Sequence, residues 1–209
     1  YAGNEHVDRA IWDQADTAVI IGENPKDASE LQAAGKSIVQ LAGGWTPKNL
    51  MRALRPHQWV KNVLLLVPLI SAHSFSAQSL LMVILGIAAF SAAASSIYII
   101  NDLLDLEADR LHATKHKRPF ASGAVPIQIG MLAFVVLSTI ALGLGFLLGW
   151  AFLAVVATYM VLSLAYSLRL KRLRWVDIAT LAALYTLRVV AGGAAVDVNV
   201  TGYLLVFIF

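Results

Sequence analysis

Three carboxylates close an apolar run long enough to cross a membrane. They are Asp102, Asp105 and Asp109, in the segment Asn101-Asp102-Leu103-Leu104-Asp105-Leu106-Glu107-Ala108-Asp109-Arg110. At about 100° per residue of an α-helix they fall within about 60° of one another and span roughly 10 Å of axis. Hard oxygens spaced in this way make a platform for Mg2+, which is held through one or two carboxylates and takes water and substrate phosphates for the rest of its shell. Acids set into a membrane are costly and usually functional. The plainer alternative is a solvated helix end whose acids only face the cytosol. A basic loop follows at once, from Arg110 to Gly123, with Pro119 and Gly123 to fix its turns. Arginine grips phosphate as a planar fork and lysine as a point charge. Lys115 and Arg118 beside carboxylate-held Mg2+ would therefore make a diphosphate clamp. For any one of these cations the alternative is simple membrane topology and contact with anionic lipid. His112 and His116, without a third ligand, read as surface residues, and no zinc site is expected.

A second group of candidates lies outside that segment. Arg188, in Leu184-Tyr185-Thr186-Leu187-Arg188-Val189-Val190, is the lone Lys or Arg deep within an apolar run, and such arginines face a polar interior by default. Its alternative is an ion pair with Asp177 or Asp197; Asp177, eleven residues earlier, is about three turns away and too far along one helix. Lys61, Lys171 and Tyr166 complete the set, each beside a basic stretch. Gly192 and Gly193 suit close helix packing.

The elements that must position these residues are membrane spans. The 209 residues are 58% hydrophobic and only 14% charged, far from the balance of a soluble domain. There is no cysteine, which excludes disulfides and thiolate chemistry. Six apolar runs are candidates: 57–75, interrupted by Pro68, then 79–107, 127–147, 149–169, 175–196 and one starting near 202. The first has Lys61 and Asn62 near its start and predicts a tilted or kinked helix. Lys and Arg gather before the first run, after the second and after the fourth, and are missing from the loops around Ser74, Trp150 and Asn199. The positive-inside rule then puts the acidic segment and both basic loops on the cytoplasmic side of a multi-pass inner-membrane protein. Residues 1–45 have a soluble pattern, with a β-like run Thr17–Ile21 and a helical stretch from Pro25 to Gly35, and read as the end of an α/β domain. The expected organisation is thus a short α/β remnant at 1–45 followed by an all-α transmembrane bundle at 46–209, with both ends reading as cuts in a longer protein.

Two resemblances follow from these residues. Asn101, Asp102, Asp105 and Asp109 spell NDxxDxxxD with Arg118-Pro119 after them, which resembles the first aspartate-rich motif of the UbiA superfamily of intramembrane prenyltransferases. Within residues 46–209, the stretch Leu54 to Asn62, Asp109 to His112 with Lys115, and Tyr166-Ser167-Leu168 with Lys171 are most similar to the branch that contains decaprenyl-phosphate phosphoribosyltransferase. Separately, Gly3-Asn4 with Asp8, Trp12 and Ala18 to Ile21 resembles the C-terminal motif of haloacid dehalogenase-type phosphatases, with Asn4 where that family has an Asp. The first resemblance implies an all-helical bundle with a lateral opening to lipid, a second polar motif beyond Phe209, and transfer from a diphosphate donor. It also implies roles: Asp102, Asp105 and Asp109 for Mg2+, Asn101 to orient that shell, Lys115, Arg118 and Lys171 on phosphates, and Lys61 and Arg188 on an anionic acceptor or on the donor's 5-phosphate. The donor is phosphoribosyl diphosphate with a polyprenyl phosphate acceptor, or a prenyl diphosphate with an aromatic acceptor. A transporter, or a lipid-binding partner of the upstream domain, is the reading from another class. Transport predicts charges spread through the bundle, whereas nearly all after residue 46 lie at one surface. No nucleic-acid partner is expected, and the oligomeric state is not legible.

Overall fold

A computed structural model describes residues 2–3, 6–21, 25–41, 45–73 and 75–208; Asn4 of the phosphatase-like motif and Ser74 lie outside them. The chain divides into two units, Tyr1–Pro47 and Lys48–Phe209.

The first unit is a three-stranded parallel sheet, β1 (Ala2–Gly3), β2 (Thr17–Ile21) and β3 (Ser37–Leu41), in the order β1-β2-β3 with Ala2 opposite Val19 and Val39 opposite Val19 on the other side. Helices α1 (Arg9–Trp12) and α2 (Pro25–Ala33) connect the strands. Ala18 and Ile20, two apart and so on one face of β2, are buried with Trp12 and Leu31. Arg9 binds Glu30 at 2.7 Å and Asp13 at 3.1 Å, and these acids hold its guanidinium above its ordinary value. Strand β3 goes beyond the sequence expectation, which ended in the helix.

The second unit starts at Lys48, one residue into α3 (Pro47–Leu54), continues as a 3-10 helix over Pro56–Leu66 and the short α4 (Val67–Ser71), and then enters the bundle. Its long helices are α5 (Ala77–Leu104), α7 (Ile127–Leu147), α8 (Trp150–Leu168) and α9 (Arg174–Val196), with α6 (Leu106–Leu111) after α5 and α10 (Gly202–Ile208) last. Among the described residues these four helices are long and apolar enough to cross a membrane. The expected first span at 57–75 is not a membrane-length helix, and the reason is visible. Pro68 in the interior of an α-helix would clash with the carbonyl four residues earlier, so α-helical geometry starts at Val67 with the proline in its first turn. The preceding residues wind as 3-10, in which positions three apart eclipse.

That eclipsing gives the 3-10 segment one anchoring edge. Trp59 Nε1 donates to Ser95 Oγ at 2.9 Å, and Asn62 Nδ2 donates to Ser91 Oγ at 3.0 Å, so residues three apart on the segment meet residues four apart on α5. Leu65, three further on, is fully buried and its backbone lies against α9 at Gly192. A Cβ at Gly192 would overlap the Leu65 carbonyl oxygen and stand 2.8 Å from its carbon, so only glycine lets the backbones approach so closely. The middle of α5 is buried, its small residues from Ala89 to Ser96 packed with Phe90, Phe152 and Tyr159. In contrast, α7 and α8 turn Leu132, Val135, Phe146, Trp150 and Val161 outward, as lipid-facing helices do.

Candidate functional site

The acidic segment does not continue as one helix. Helix α5 ends at Leu104, Asp105 has φ −90° and ψ 9°, and α6 restarts at Leu106. The break separates the three acids expected on one face. Asp102 and Asp109 are 4% and 2% exposed, and Arg118 Nη1 joins them, at 3.2 Å to Asp102 Oδ1 and 2.6 Å to Asp109 Oδ2. Arg55 Nη2 adds a 2.7 Å bond to the same Asp102 oxygen, and Lys115 Nζ stands 4.0 Å from Asp109. Asp105 is half-exposed and pairs instead with Lys171 at 3.8 Å, an exposed pair that contributes little.

Local packing explains how the basic members arrive. Arg118 is two residues before Phe120, which is 2% exposed and inserts against α7 at Gly130, where a Cβ would be 2.5 Å from the ring. Phe120 and Val125 pack with Ala53 and Ile99, tying the C-terminal end of the basic loop to the bundle. Arg55 is a non-glycine residue in the left-handed region, φ 53° and ψ 58°, immediately before Pro56. That conformation costs on the order of 1–3 kcal/mol and persists only where surroundings fix it. Here Asp102 and the Tyr98 ring, 4.9 Å from the guanidinium carbon, do so.

Two cavities flank the inner end of α5. The first, of 380 Å³, is lined by Arg52, Arg55, Lys115, Lys117 and Arg118, with Asp102 its one carboxylate. The second, of 240 Å³, is lined by Lys61, Lys171 and Arg188 together with Asn101, Ser163 and Tyr166 and, among the described residues, by no acid. Neighbours in sequence, Asn101 and Asp102 are about 100° apart around the helix, and they line different cavities. Buried Asn101 Oδ1 has no hydrogen-bond partner. Tyr166 donates to Asp177 Oδ1 at 2.8 Å. Arg188 pairs with neither Asp177 nor Asp197: it donates through Nε to Asn62 Oδ1 at 3.1 Å, Nη1 to the Leu184 carbonyl at 2.5 Å and Nη2 to Tyr159 Oη at 3.1 Å.

The expected site residues thus fall into two groups. Asp102, Asp109, Lys115 and Arg118 stand around the first cavity, and Asn101, Lys61, Tyr166, Lys171 and Arg188 line the second with Asp105 at its Lys171 side. Among the described residues no three acidic or histidine side chains converge to hold a metal by themselves. Four participants escaped the sequence reading: Arg55, Asn62, Tyr159 and Ser163. Tyr159, Ser163 and Tyr166, spaced four and three in an apolar helix, were a visible polar stripe.

The model of the UbiA prenyltransferase family matches residues 63–209. The chain belongs to that family. Among its relatives, the uncharacterized protein y4nM of Sinorhizobium fredii is 42% identical over 92% of this chain and 38% of its own length. Decaprenyl-phosphate phosphoribosyltransferase of Corynebacterium glutamicum is 38% identical over 76% of this chain and 51% of its own length. The chain therefore spans about half or less of these relatives. A UbiA homolog from Archaeoglobus fulgidus, solved with DMAPP and Mg2+, shares the fold with TM-score 0.64 and 20% identity over 77% of this chain and 58% of that one. The fold of this UbiA family member is thus a multi-pass helical bundle preceded by a short α/β piece. It is an integral membrane protein by its four long apolar helices.

Proposed function

We propose that the protein is an Mg2+-dependent membrane transferase that moves phosphoribosyl from phosphoribosyl diphosphate to a polyprenyl phosphate. The observation that carries this reading is the pair of cation-lined cavities on either side of Asn101-Asp102. Both substrates of such a reaction are anions, so both need cations. An aromatic acceptor would need only one such cavity. The named activity of the 38% identical relative supports the same choice. In the transfer, the bond from C1 of ribose to the diphosphate oxygen breaks, the diphosphate leaves with the electron pair, and an oxygen of the acceptor phosphate forms the new bond to C1.

The residues suit Mg2+ shared with a ligand better than Mg2+ in a closed cage. Asn101 Oδ1 is a buried oxygen without a partner, and Asp105 next to it is committed only to an exposed lysine. These two would hold the ion, with Asp102 and Asp109 behind them as the acids that orient Arg118. Bound there, Mg2+ would neutralise charge on the departing diphosphate. Lys171 and Lys115 grip the phosphate oxygens, and Arg118 does so from its seat on the two aspartates. The site faces the cytoplasm of an inner membrane, because Arg110, Lys115, Lys117, Arg118, Arg169, Lys171, Arg172 and Arg174 all belong to loops or helix ends on its side. On this reading residues 1–45 close a haloacid dehalogenase-type domain, which suits the parallel sheet of the first unit.

The test is incubation of the full-length protein with Mg2+, a polyprenyl phosphate and phosphoribosyl diphosphate labelled in the ribose. Label passing into the lipid fraction is the expected result. Label remaining soluble, while a labelled prenyl diphosphate is consumed with an aromatic acceptor, would overturn the reading in favour of prenyl transfer.

A further inference from the structure

Arg188 is 6% exposed, in the middle of a membrane bundle, and every acceptor it meets is neutral: an amide oxygen, a backbone carbonyl and a phenol. Tyr159 and Tyr185 cover the guanidinium at 4.9 and 5.4 Å. Among the described residues no carboxylate lies within ion-pair distance of it. Lys61, whose ammonium lies 5.9 Å from the Tyr185 ring, lines the same cavity without a carboxylate partner among the described residues. Buried charge without a counterion is costly, and an anionic ligand in the cavity would balance it. Three of the five N–H donors of an arginine are used here, which leaves two for that ligand.

Ser163 supplies a second, independent sign. It is 8% exposed, lines the cavity, and its Oγ has no partner. Several helical hydroxyls in this bundle close onto their own helix: Ser96 to the Ala93 carbonyl at 2.8 Å, Thr180 to that of Val176 at 2.7 Å and Thr186 to that of Ala182 at 3.0 Å. Ser163 has not done so. An isoprenoid chain in this 240 Å³ space would leave both the hydroxyl and the charge of Arg188 desolvated and unmet. A ligand that carries a phosphate and a hydroxyl would satisfy both.

We infer that the cavity between α5, α8 and α9 is a sugar-phosphate pocket, with the terminal phosphate on Arg188 and Lys61 and a ring hydroxyl on Ser163. It rests on the phosphoribosyl donor proposed above and assigns its two ends. The diphosphate lies at the Asn101, Asp105 and Lys171 mouth. The 5-phosphate lies roughly 10 Å deeper, seven residues of α5 from Asn101 to the level of Ala94. Asn62 is a positioning residue: Ser91 fixes its amide nitrogen and its oxygen holds Arg188.

The probe is ribose 5-phosphate, which has the sugar-phosphate end and no diphosphate, titrated by calorimetry into the full-length protein in nanodiscs with Mg2+ chelated. Wild type should bind it about tenfold or more tighter than inorganic phosphate. Ser163→Ala should weaken ribose 5-phosphate about fivefold and leave inorganic phosphate unchanged. Lys61→Ala should weaken both ligands, and Arg188→Lys, which keeps the charge but loses the fork, should weaken both further. Equal affinity for the two ligands in wild type, or a Ser163→Ala effect of the same size on both, overturns the assignment. So does displacement of ribose 5-phosphate by a prenyl monophosphate that Ser163→Ala binds more tightly. Transfer of labelled ribose without these binding differences sinks the pocket alone. Serine-dependent binding of ribose 5-phosphate without transfer upholds the pocket and sinks the transfer reading.

Discussion

Gly192→Ala tests whether the 3-10 segment is a strap that sets the position of Arg188. The added Cβ would stand 2.8 and 2.9 Å from the carbonyl carbon and Cα of Leu65, and backbone cannot rotate out of the way as a side chain can. Restoring ordinary contact at about 3.5–4 Å requires the segment and α9 to part by about 1 Å. The Asn62–Arg188 bond, 3.1 Å long, crosses that seam and would be stretched beyond hydrogen-bond length. Overpacking of this kind costs about 1–3 kcal/mol, and a misplacement of about 1 Å at a site can reduce turnover about 100-fold. Thermal unfolding in detergent and the labelled transfer assay should therefore both register the change, the second more strongly. Gly143→Ala is the control, since nothing lies within 4 Å of a Cβ there. Gly192→Ala with wild-type unfolding temperature and wild-type turnover would refute the strap.

Four further outcomes are expected. Asp105→Asn should raise the Mg2+ concentration for half-maximal transfer at least about tenfold with unchanged unfolding temperature; an unchanged Mg2+ titration would remove Asp105 from the ion. Asp102→Asn removes the negative charge shared by Arg55 and Arg118, which are each about a quarter exposed, and should cost about 1–3 kcal/mol of stability in thermal unfolding. Phe120→Ala empties the anchor of the basic loop and should lower stability by about 3–5 kcal/mol while speeding tryptic cleavage after Lys115 and Lys117, and unchanged cleavage would contradict the anchoring. Tyr166→Phe loses one hydrogen bond to Asp177, worth about 0.5–1.5 kcal/mol, so transfer should fall by less than about tenfold; complete loss would make the phenol more than a support.

Apolar length alone made the four long helices legible, because a continuous run of the right length in a bilayer has one structural outcome. The break at Asp105 was not legible. Nothing in Leu104-Asp105-Leu106 is a helix breaker, and past the turn Asp109 meets Arg118 of the loop that follows. Nor could spacing show that Asp102 would be claimed by Arg55, 47 residues earlier. What spacing could show, and did not until the cavities were visible, is that Asn101 and Asp102 must face different sides of their helix. Pro68 signalled an interruption, but the 3-10 winding before it depends on Ser91 and Ser95 of another helix. The link between Arg188 and Asn62 spans 126 residues and is likewise a product of packing.

The 28 residues of α5 measure about 42 Å, against about 30 Å for the hydrocarbon of a bilayer. If its Ala77 end starts near the far boundary, its last turns, with Asn101 and Asp102, stand at the depth of lipid headgroups. A long-chain acceptor anchored in the same leaflet has its phosphate at that depth already. Withdrawing its chain into water would cost about 0.8 kcal/mol for every CH2 exposed, a sum no enzyme could recover from a few hydrogen bonds. On the proposed function, the overhang of one helix would decide where the chemistry can be done: the lipid would keep its tail in the membrane, and only the soluble partner would have to travel.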